Sequence, residues 1–183
     1  MPKGGPLSCL RRPQVAAYAR FVRRLHINVT AAKPPWEADL DNECAQLTSL
    51  QDIMEDPEYK TRYAKPVRRA IDTAYASHYR ALLEFFHDGR QSGKPQPTDL
   101  LYRDVSGSTS PFLPWSKFAK GRLDDADKLV GHLTKVRRTK TSDWGSSDDW
   151  AFIWPMIQKL LKITPGDWFP ETRQAVSQRG LTA

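Results

Sequence analysis

The strongest constraint on the fold is a long amphipathic segment in the middle of the chain. Between residues 67 and 86, mostly apolar side chains recur every three or four positions, which is the period of an α-helix. The stripe consists of Val67, Ile71, Ala74, His78, Leu82 and Phe85, and it is widened by Tyr75, Leu83 and Phe86. The sequence therefore predicts a long helix that faces a core over much of its circumference and ends at Asp88-Gly89.

Three further segments show the same period. Apolar residues at helical spacing lie in residues 40–54, 116–136 and 150–161, and Ser147 with the two aspartates that follow it is a typical helix start. No segment keeps up the alternation of apolar and polar residues that a strand requires. We therefore predict an all-α fold, an irregular bundle of four to five helices preceded by a basic N-terminal arm.

Length and composition fit one domain with appendages. The chain has 183 residues, of which 39% are hydrophobic, and it contains 14 prolines. We assign residues 1–36 to the arm, residues 37–165 to a single helical domain, and residues 166–183 to an irregular C-terminal tail that is poor in large apolar side chains. No apolar run approaches the roughly 18 residues that span a bilayer, so we expect no membrane span.

Positive charge is concentrated in the arm. The net charge is +7, and residues 1–36 contain seven basic side chains and no acidic one, whereas the rest of the chain contains 21 of each sign. Within the arm, Val15, Tyr18, Val22 and Leu25 recur at helical spacing. They predict a short basic amphipathic helix.

This arm is open to three interpretations. An arginine-rich amphipathic segment without acids is typical of an organelle transit peptide, in which case residues 1–33 direct the protein to the mitochondrial matrix. The same pattern binds anionic membrane surfaces or nucleic acid. It also suits a cytoplasmic protein whose arm is a solvated helix docked on the domain, or upstream sequence from a wrongly chosen start codon.

Cysteine and histidine spacing indicates no metal centre. Cys9 and Cys44 are not in CxxC spacing, and Cys44 lies on an apolar stripe, so we expect a buried free thiol. No two of the four histidines lie three or four residues apart on one helix. We expect His78 in the core and His87 as a protonated cap at a helix C-terminus. No metal and no cofactor are predicted.

His132 has the most suggestive surroundings. On a helix, Lys128 precedes it by one turn, Lys135 follows it by nearly one turn, and Asp125 precedes Lys128 by one turn. This edge suits a polar seam that orders helix packing. It equally suits a phosphate or RNA site in which His132 is the acid/base catalyst.

Basic side chains near His132 are candidates for nucleic-acid binding. They are Arg122, Lys135, Arg137 and Arg138. Single-strand binding requires exposed aromatic rings interleaved with basic residues, and residues 135–144 are the one segment with that composition. Trp150 and Trp154 instead fall on an apolar helix face, where core packing is their ordinary role.

Three motifs carry a family resemblance. They are Ser77-His78-Tyr79-Arg80-Ala81-Leu82-Leu83-Glu84-Phe85-Phe86, Thr98-Asp99-Leu100-Leu101 and Asp127-Lys128-Leu129-Val130-Gly131-His132-Leu133-Thr134. Followed by a last helix with tryptophan, they resemble a family of small uncharacterised bacterial proteins and, more distantly, the HEPN superfamily of four- to five-helix domains. The resemblance covers about residues 66–163 and leaves the N-terminal third outside it.

The HEPN resemblance implies a helical domain that often dimerises and, in many members, a metal-independent ribonuclease with an Arg-x(4–6)-His motif. Here the upstream arginine on the same helix is Arg122, ten residues before His132. At helical rise this is about 15 Å along the axis, too far for both side chains to hold one phosphate unless the helix is broken. Lys128 is nearer but lacks the planar fork of arginine.

Three functional hypotheses follow. The preferred one is a non-catalytic, HEPN-like helical module for interaction or regulation, which forms a homodimer or binds another protein. The second is a metal-independent endoribonuclease with His132, Lys128 and Asp127 in the catalytic site. The third is an RNA-associated or organelle-targeted structural component.

Overall fold

Seven α-helices and no strand make up the described part of the chain, which confirms the predicted all-α class. The computed structural model describes residues 33–87, 100–107, 112, 114–131 and 144–181. Most of the predicted basic arm, residues 1–32, lies outside these ranges. The helices belong to one compact unit that begins at Pro35.

Five of the helices have nine residues or more, in agreement with the predicted bundle of four to five. The first three are α1 (Trp36–Glu55), the short α2 (Tyr59–Arg62) and α3 (Lys65–Phe86). The others are α4 (Tyr102–Ser106), α5 (Lys117–Ala126), α6 (Ser147–Ile163) and α7 (Pro170–Gln178). Serine side chains cap two of them, because Ser116 accepts the Ala119 N–H and Ser146 accepts the Asp149 N–H.

Helices α1 and α3 run antiparallel and supply much of the core. The Tyr75 hydroxyl donates to Gln51 Oε1 over 2.7 Å, and His78 Nδ1 lies 2.8 Å from Glu43 Oε2. Side chains of α6 and of the segment before α7 complete the core. Its largest fully buried apolar members are Tyr75, Tyr79, Phe86, Phe169, Leu47, Leu82, Leu83, Ile153, Met156, Ile157 and Leu160. Each buried leucine, isoleucine, methionine or phenylalanine contributes about 1.5–3 kcal/mol relative to exposure.

Only the C-terminal half of the predicted α3 stripe lies in the core. Leu82 is fully buried and Phe85 is 5% exposed, whereas Val67 is 45% exposed. Ile71 is half-buried. The difference arises because α4 packs against the C-terminal half, where the Tyr102 ring lies 6.2 Å from that of Phe85, and leaves the N-terminal half open.

The prediction of an irregular tail over residues 166–183 is wrong for residues 170–178, which form α7 beside α1. Two buried carboxylates of α1 hold its first turn. Glu37 Oε1 accepts the Phe169 N–H over 2.6 Å, and Asp41 accepts the Thr172 N–H over 2.8 Å and the Thr172 hydroxyl over 2.7 Å. Polar contacts thus fold a segment whose apolar content alone would not predict a helix.

The helix predicted over residues 116–136 is described as far as Gly131. α5 ends at Ala126, and a single π-helical segment follows over Asp127–Gly131. A π-helical turn is wider than an α-helical one. Residues 127–131 therefore do not keep the α-helical spacing from which the edge around His132 was inferred, and His132 itself lies outside the described residues.

Candidate functional site

Some of the predicted site residues lie outside the described part of the chain, namely His132, Lys135, Arg137 and Arg138. Asp127 and Lys128 are described, at the start of the π-helical segment. Asp127 Oδ1 lies 2.6 Å from Arg80 Nη1 of α3, and Lys128 is exposed. Asp127 therefore joins two helices through an ion pair, and the proposed catalytic role of the three residues stays a prediction.

Arg122 makes its polar contacts within the helical body. Its Nε and Nη2 donate to the two carboxylate oxygens of Asp149 in α6. The side chains of the two residues are 16% and 0% exposed, and the guanidinium carbon lies 4.6 Å from the ring centroid of Trp144. A nucleic-acid contact at Arg122, as predicted, would require this ion pair to open.

Three aromatic side chains surround the ion pair. The Trp144 ring lies 6.2 Å from that of Tyr75 and 5.8 Å from that of Tyr79. The Tyr79 hydroxyl donates to the Asp149 carbonyl oxygen over 3.3 Å. Rings that exclude water lower the local dielectric, so the attraction between the two charges is stronger than at the surface.

His87 ends α3 in a buried aromatic setting. Its Nδ1 donates to the Leu83 carbonyl oxygen over 3.1 Å, and its ring lies 4.6 Å from that of Trp115 and 6.1 Å from that of Phe152. Burial lowers the pKa of His87 below its ordinary value, more than the hydrogen bond to Leu83 raises it. The residue occupies the predicted cap position, and desolvation of the imidazole disfavours the protonated form that was expected there.

The surroundings of Cys44 and His78 indicate structural roles for both residues. Cys44 is a fully buried free thiol, as predicted, and burial raises its pKa far above the ordinary value, with smaller contributions from Asp41 and Glu43. A thiol with a raised pKa is a poor nucleophile. The His78 side chain is 21% exposed and paired with Glu43.

Within the described ranges, no group of three or more histidine, cysteine, aspartate or glutamate side chains is placed to hold a metal ion. Among the described helices, none combines the length and the apolar character that crossing a membrane requires.

One face of α3 is partly exposed and lacks charged residues. Over the fifteen positions 67–81 it contains no lysine, arginine, aspartate or glutamate, because the charged residues of this stretch fall on other sides of the helix. We call these residues the uncharged α3 face: Val67, Ala70, Ile71, Ala74, Ser77, His78 and Ala81. Solvent-facing sides of helices normally carry charged or polar residues.

This face is open to different degrees along its length. Val67 and Ala70 are exposed, and the other five members are half-buried. The apolar stripe predicted from the sequence included Val67, Ile71, Ala74 and His78. That prediction placed these four residues in the core and did not include the small residues beside them. The signal that distinguishes this face is that its additional members are alanine and serine, which leave room for a second helix to approach closely.

No protein-family model, curated protein or solved structure matches this chain. The HEPN-like relationship therefore stays an expectation that rests on the sequence motifs alone.

Proposed function

We propose that this protein is a non-catalytic helical interaction module that pairs through the uncharged α3 face. The observation that carries the proposal is the exposure of Val67, at 45%, on a helix face without charged residues. Contiguous exposed apolar surface is typical of protein interaction sites. Covering it releases water from apolar atoms, while Glu43, which borders the face, keeps its contact with His78.

A second copy of the chain is the partner that fits this face. In a two-fold antiparallel pairing centred on Ala74, residues equally far before and after the centre meet. Val67 then faces Ala81 of the other copy, and Ile71 faces Ser77. Apart from Ala74, which meets its own copy, each pair sets a larger side chain against a smaller one, so the face is complementary to itself in shape.

The expected dimer is weak. Fourteen helical steps from Val67 to Ala81 span about 21 Å. One helix face of that length covers much less than the roughly 800 Å² per partner of a standard stable interface. The equilibrium between monomer and dimer should therefore depend visibly on protein concentration.

Sedimentation velocity of the full chain over a micromolar to submillimolar concentration series tests the proposal. The decisive variant is Ala70→Glu, which places a charge in the exposed part of the face. Ala151→Glu is the matched control, because Ala151 is also an exposed alanine in a helix but lies on α6. We expect wild type and Ala151→Glu to associate with rising concentration and Ala70→Glu to stay monomeric with an unchanged melting temperature.

Two outcomes count against the proposal. One is a wild-type protein that stays monomeric at every concentration. The other is equal dissociation by Ala70→Glu and Ala151→Glu, which would mean that added negative charge acts without regard to its position.

A second candidate function, association with RNA, is favoured by the distribution of charge. The described residues carry 16 basic and 18 acidic side chains, so the helical body is slightly acidic. Residues 1–32 carry six basic side chains and no acidic one, and residues 132–143 carry four basic and one acidic. Clustered lysine and arginine bind phosphate backbones with a strong dependence on salt.

Fluorescence anisotropy with a labelled single-stranded RNA, repeated at several salt concentrations, tests this second candidate. Replacing Arg137 and Arg138 by glutamine should lower the magnitude of the logarithmic salt slope by about 1.4, because each phosphate contact on a single strand contributes about 0.7. Replacing the exposed Lys159 and Lys162 by glutamine removes the same charge from α6 and should leave the slope nearly unchanged.

The same RNA, incubated with the protein in EDTA, separates binding from catalysis. Cleavage that is lost in His132→Ala would support the ribonuclease hypothesis instead of the two binding functions. Intact RNA with both proteins would support binding without cleavage.

A further inference from the structure

The guanidinium group of Arg179, at the end of α7, lies in a defined acidic and aromatic site. Its Nη2 donates to Glu55 Oε2 over 2.5 Å, and its Nη1 lies 2.7 Å from Asp52 Oδ1. Its central carbon lies 4.5 Å from the ring centroid of Trp150. The arginine side chain is only 10% exposed. Two carboxylates and one indole therefore surround a single cation.

The chemistry of this site suits arginine better than lysine. Guanidinium is planar, presents several N–H donors in a fixed fork, and stacks on aromatic rings while its edges donate to carboxylates. In this site Nη2 donates to Glu55, Nη1 lies close to Asp52, and the central carbon lies over the Trp150 indole. A lysine ammonium is compact and strongly hydrated, so it cannot contact both carboxylates and the indole at the same time.

Two of the three groups that line the site, Glu55 and Trp150, are held by contacts that do not involve Arg179. Glu55 Oε1 accepts the Gln51 side-chain N–H over 2.8 Å, and Gln51 is itself anchored to Tyr75 over 2.7 Å. The Trp150 ring is stacked on that of Trp154, with 5.4 Å between centroids and 16° between planes. A site whose groups are already in position loses little conformational freedom when it binds a ligand.

The rest of α7 is also fixed without Arg179. Asp41 holds the first turn through Glu171 and Thr172. Arg173, near the start of the helix, donates to the carbonyl oxygens of Leu161 and Trp168, each over 2.8 Å. Val176 of the last turn is buried in the core. The Arg179 side chain can therefore leave the site while α7 stays in place.

We infer that Asp52, Glu55 and Trp150 form a preorganised binding site for an arginine side chain, which Arg179 occupies within the chain and which an arginine of a partner polypeptide can take over. Exchange would release the Arg179 side chain and leave α7 and the helical core in place. Arg179 is at a high effective concentration because it is tethered, so an external arginine binds more weakly when Arg179 is present. This inference does not depend on the uncharged α3 face.

The test uses the full chain with Arg179→Ala and, as a second variant of different polarity, Arg179→Gln. Each protein is titrated with N-acetylarginine amide, and the indole N–H signal of Trp150 is followed by NMR after assignment with Trp150→Phe. The matched ligands are N-acetylcitrulline amide, which keeps the shape without the charge, and N-acetyllysine amide, which keeps the charge without the fork.

We expect the arginine ligand to bind both variants saturably. Its binding to wild type should be at least about tenfold weaker, the ratio that about 1.4 kcal/mol produces. The citrulline and lysine ligands should bind the two variants more weakly by at least the same factor. Adding Glu55→Gln to Arg179→Ala should abolish binding while circular dichroism stays that of a folded helical protein. The inference is overturned by folded variants that do not bind the arginine ligand, or that bind all three ligands equally. If neither variant folds, Arg179 is required for the fold and the site is not exchangeable, which also overturns it.

Discussion

Arg122 of α5 and Asp149 of α6 form a buried two-pronged ion pair, in which Nε and Nη2 of the arginine donate to both oxygens of a carboxylate that is inaccessible to solvent. The pair lies between the helix that precedes the π-helical segment and the first turn of the next long helix. Trp144 covers the guanidinium and Tyr79 donates to the Asp149 backbone. Each of the two charges is therefore stabilised by the other in place of water.

Removing one member of this pair should destabilise the protein strongly. Asp149→Asn removes the bidentate counter-ion of Arg122 and leaves Asp125 Oδ2, 4.0 Å from Nη1, as a more distant one. We expect the free energy of unfolding to fall by about 3 kcal/mol, the lower end of the range for a broken buried pair. Replacing both residues, as in Arg122→Met with Asp149→Leu, should cost much less because no unpaired charge remains. Urea unfolding measures all three. Asp148→Asn, one residue earlier and exposed, is the control, and a similar loss in that variant would contradict the prediction.

Gly145 should be one of the least replaceable glycines among the described residues. Its backbone φ is +71°, and a Cβ added there would lie 2.7 Å from the Met54 sulfur. Gly107 has a similar φ of +65° with nothing within 4 Å of the added Cβ, so Gly107→Ala isolates the backbone cost. That cost is about 1–2 kcal/mol.

Gly145→Ala should therefore lower the free energy of unfolding by more than Gly107→Ala does, and Met54→Ala in the same chain should recover part of the difference. Thermal and urea unfolding of the four proteins give the comparison. Equal losses at the two glycines would show that the methionine moves aside without cost.

Local patterns predicted the helices well because each pattern reports a contact within a few residues. The stripe of α3 and the start at Ser147 both depend on helical spacing or on a dipole at one end, and both helices lie where they were expected. The side of α3 that faces the core was predicted less well. Val67 and Tyr75 fit an apolar stripe equally, and only the position of the neighbouring helices decides which is buried.

Contacts between distant parts of the chain were not predictable in the same way. Glu37 and Asp41 lie more than 125 residues before the backbone groups that they accept, and nothing in their local sequence indicates a partner in α7. Asp149 shows the same limit. Its place in a first turn explains a helix start, whereas its burial against Arg122 depends on the packing of α5 on α6.

Asp41 should control whether α7 stays folded on the body. It accepts the N–H groups of Glu171 and Thr172 and the Thr172 hydroxyl, and it is buried. Asp41→Ala leaves those donors without a partner and should cost about 2 kcal/mol, the upper end of the range for a lost N-terminal cap. Hydrogen exchange should show lost protection in α7 with α3 still protected.

Asp39→Ala is the matched control for this prediction, because Asp39 lies on the same helix and is exposed. That variant should keep wild-type protection in α7. If Asp41→Ala also kept it, the apolar contacts of Phe169 and Val176 would be sufficient to hold the helix.

His87 should make the protein less stable in acid. Burial lowers its pKa in the folded state, so the unfolded chain, with an ordinary histidine pKa of about 6.5, binds the proton more readily. The free energy of unfolding should fall as the pH drops below about 6.5, by at most about 1.4 kcal/mol for each pH unit until the folded-state pKa is reached. Urea unfolding at several pH values between about 7.5 and about 5 follows this change.

His87→Phe should remove this part of the pH dependence, because a phenyl ring fits between Trp115 and Phe152 and does not titrate. His78→Gln is the control for histidine in general, since His78 is paired with Glu43 and partly exposed. The Nε2 atom of His87 is buried without a hydrogen-bond partner among the described residues, so a proton there gains no compensating contact. A His87→Phe protein as sensitive to acid as wild type would place the titrating group elsewhere in the chain.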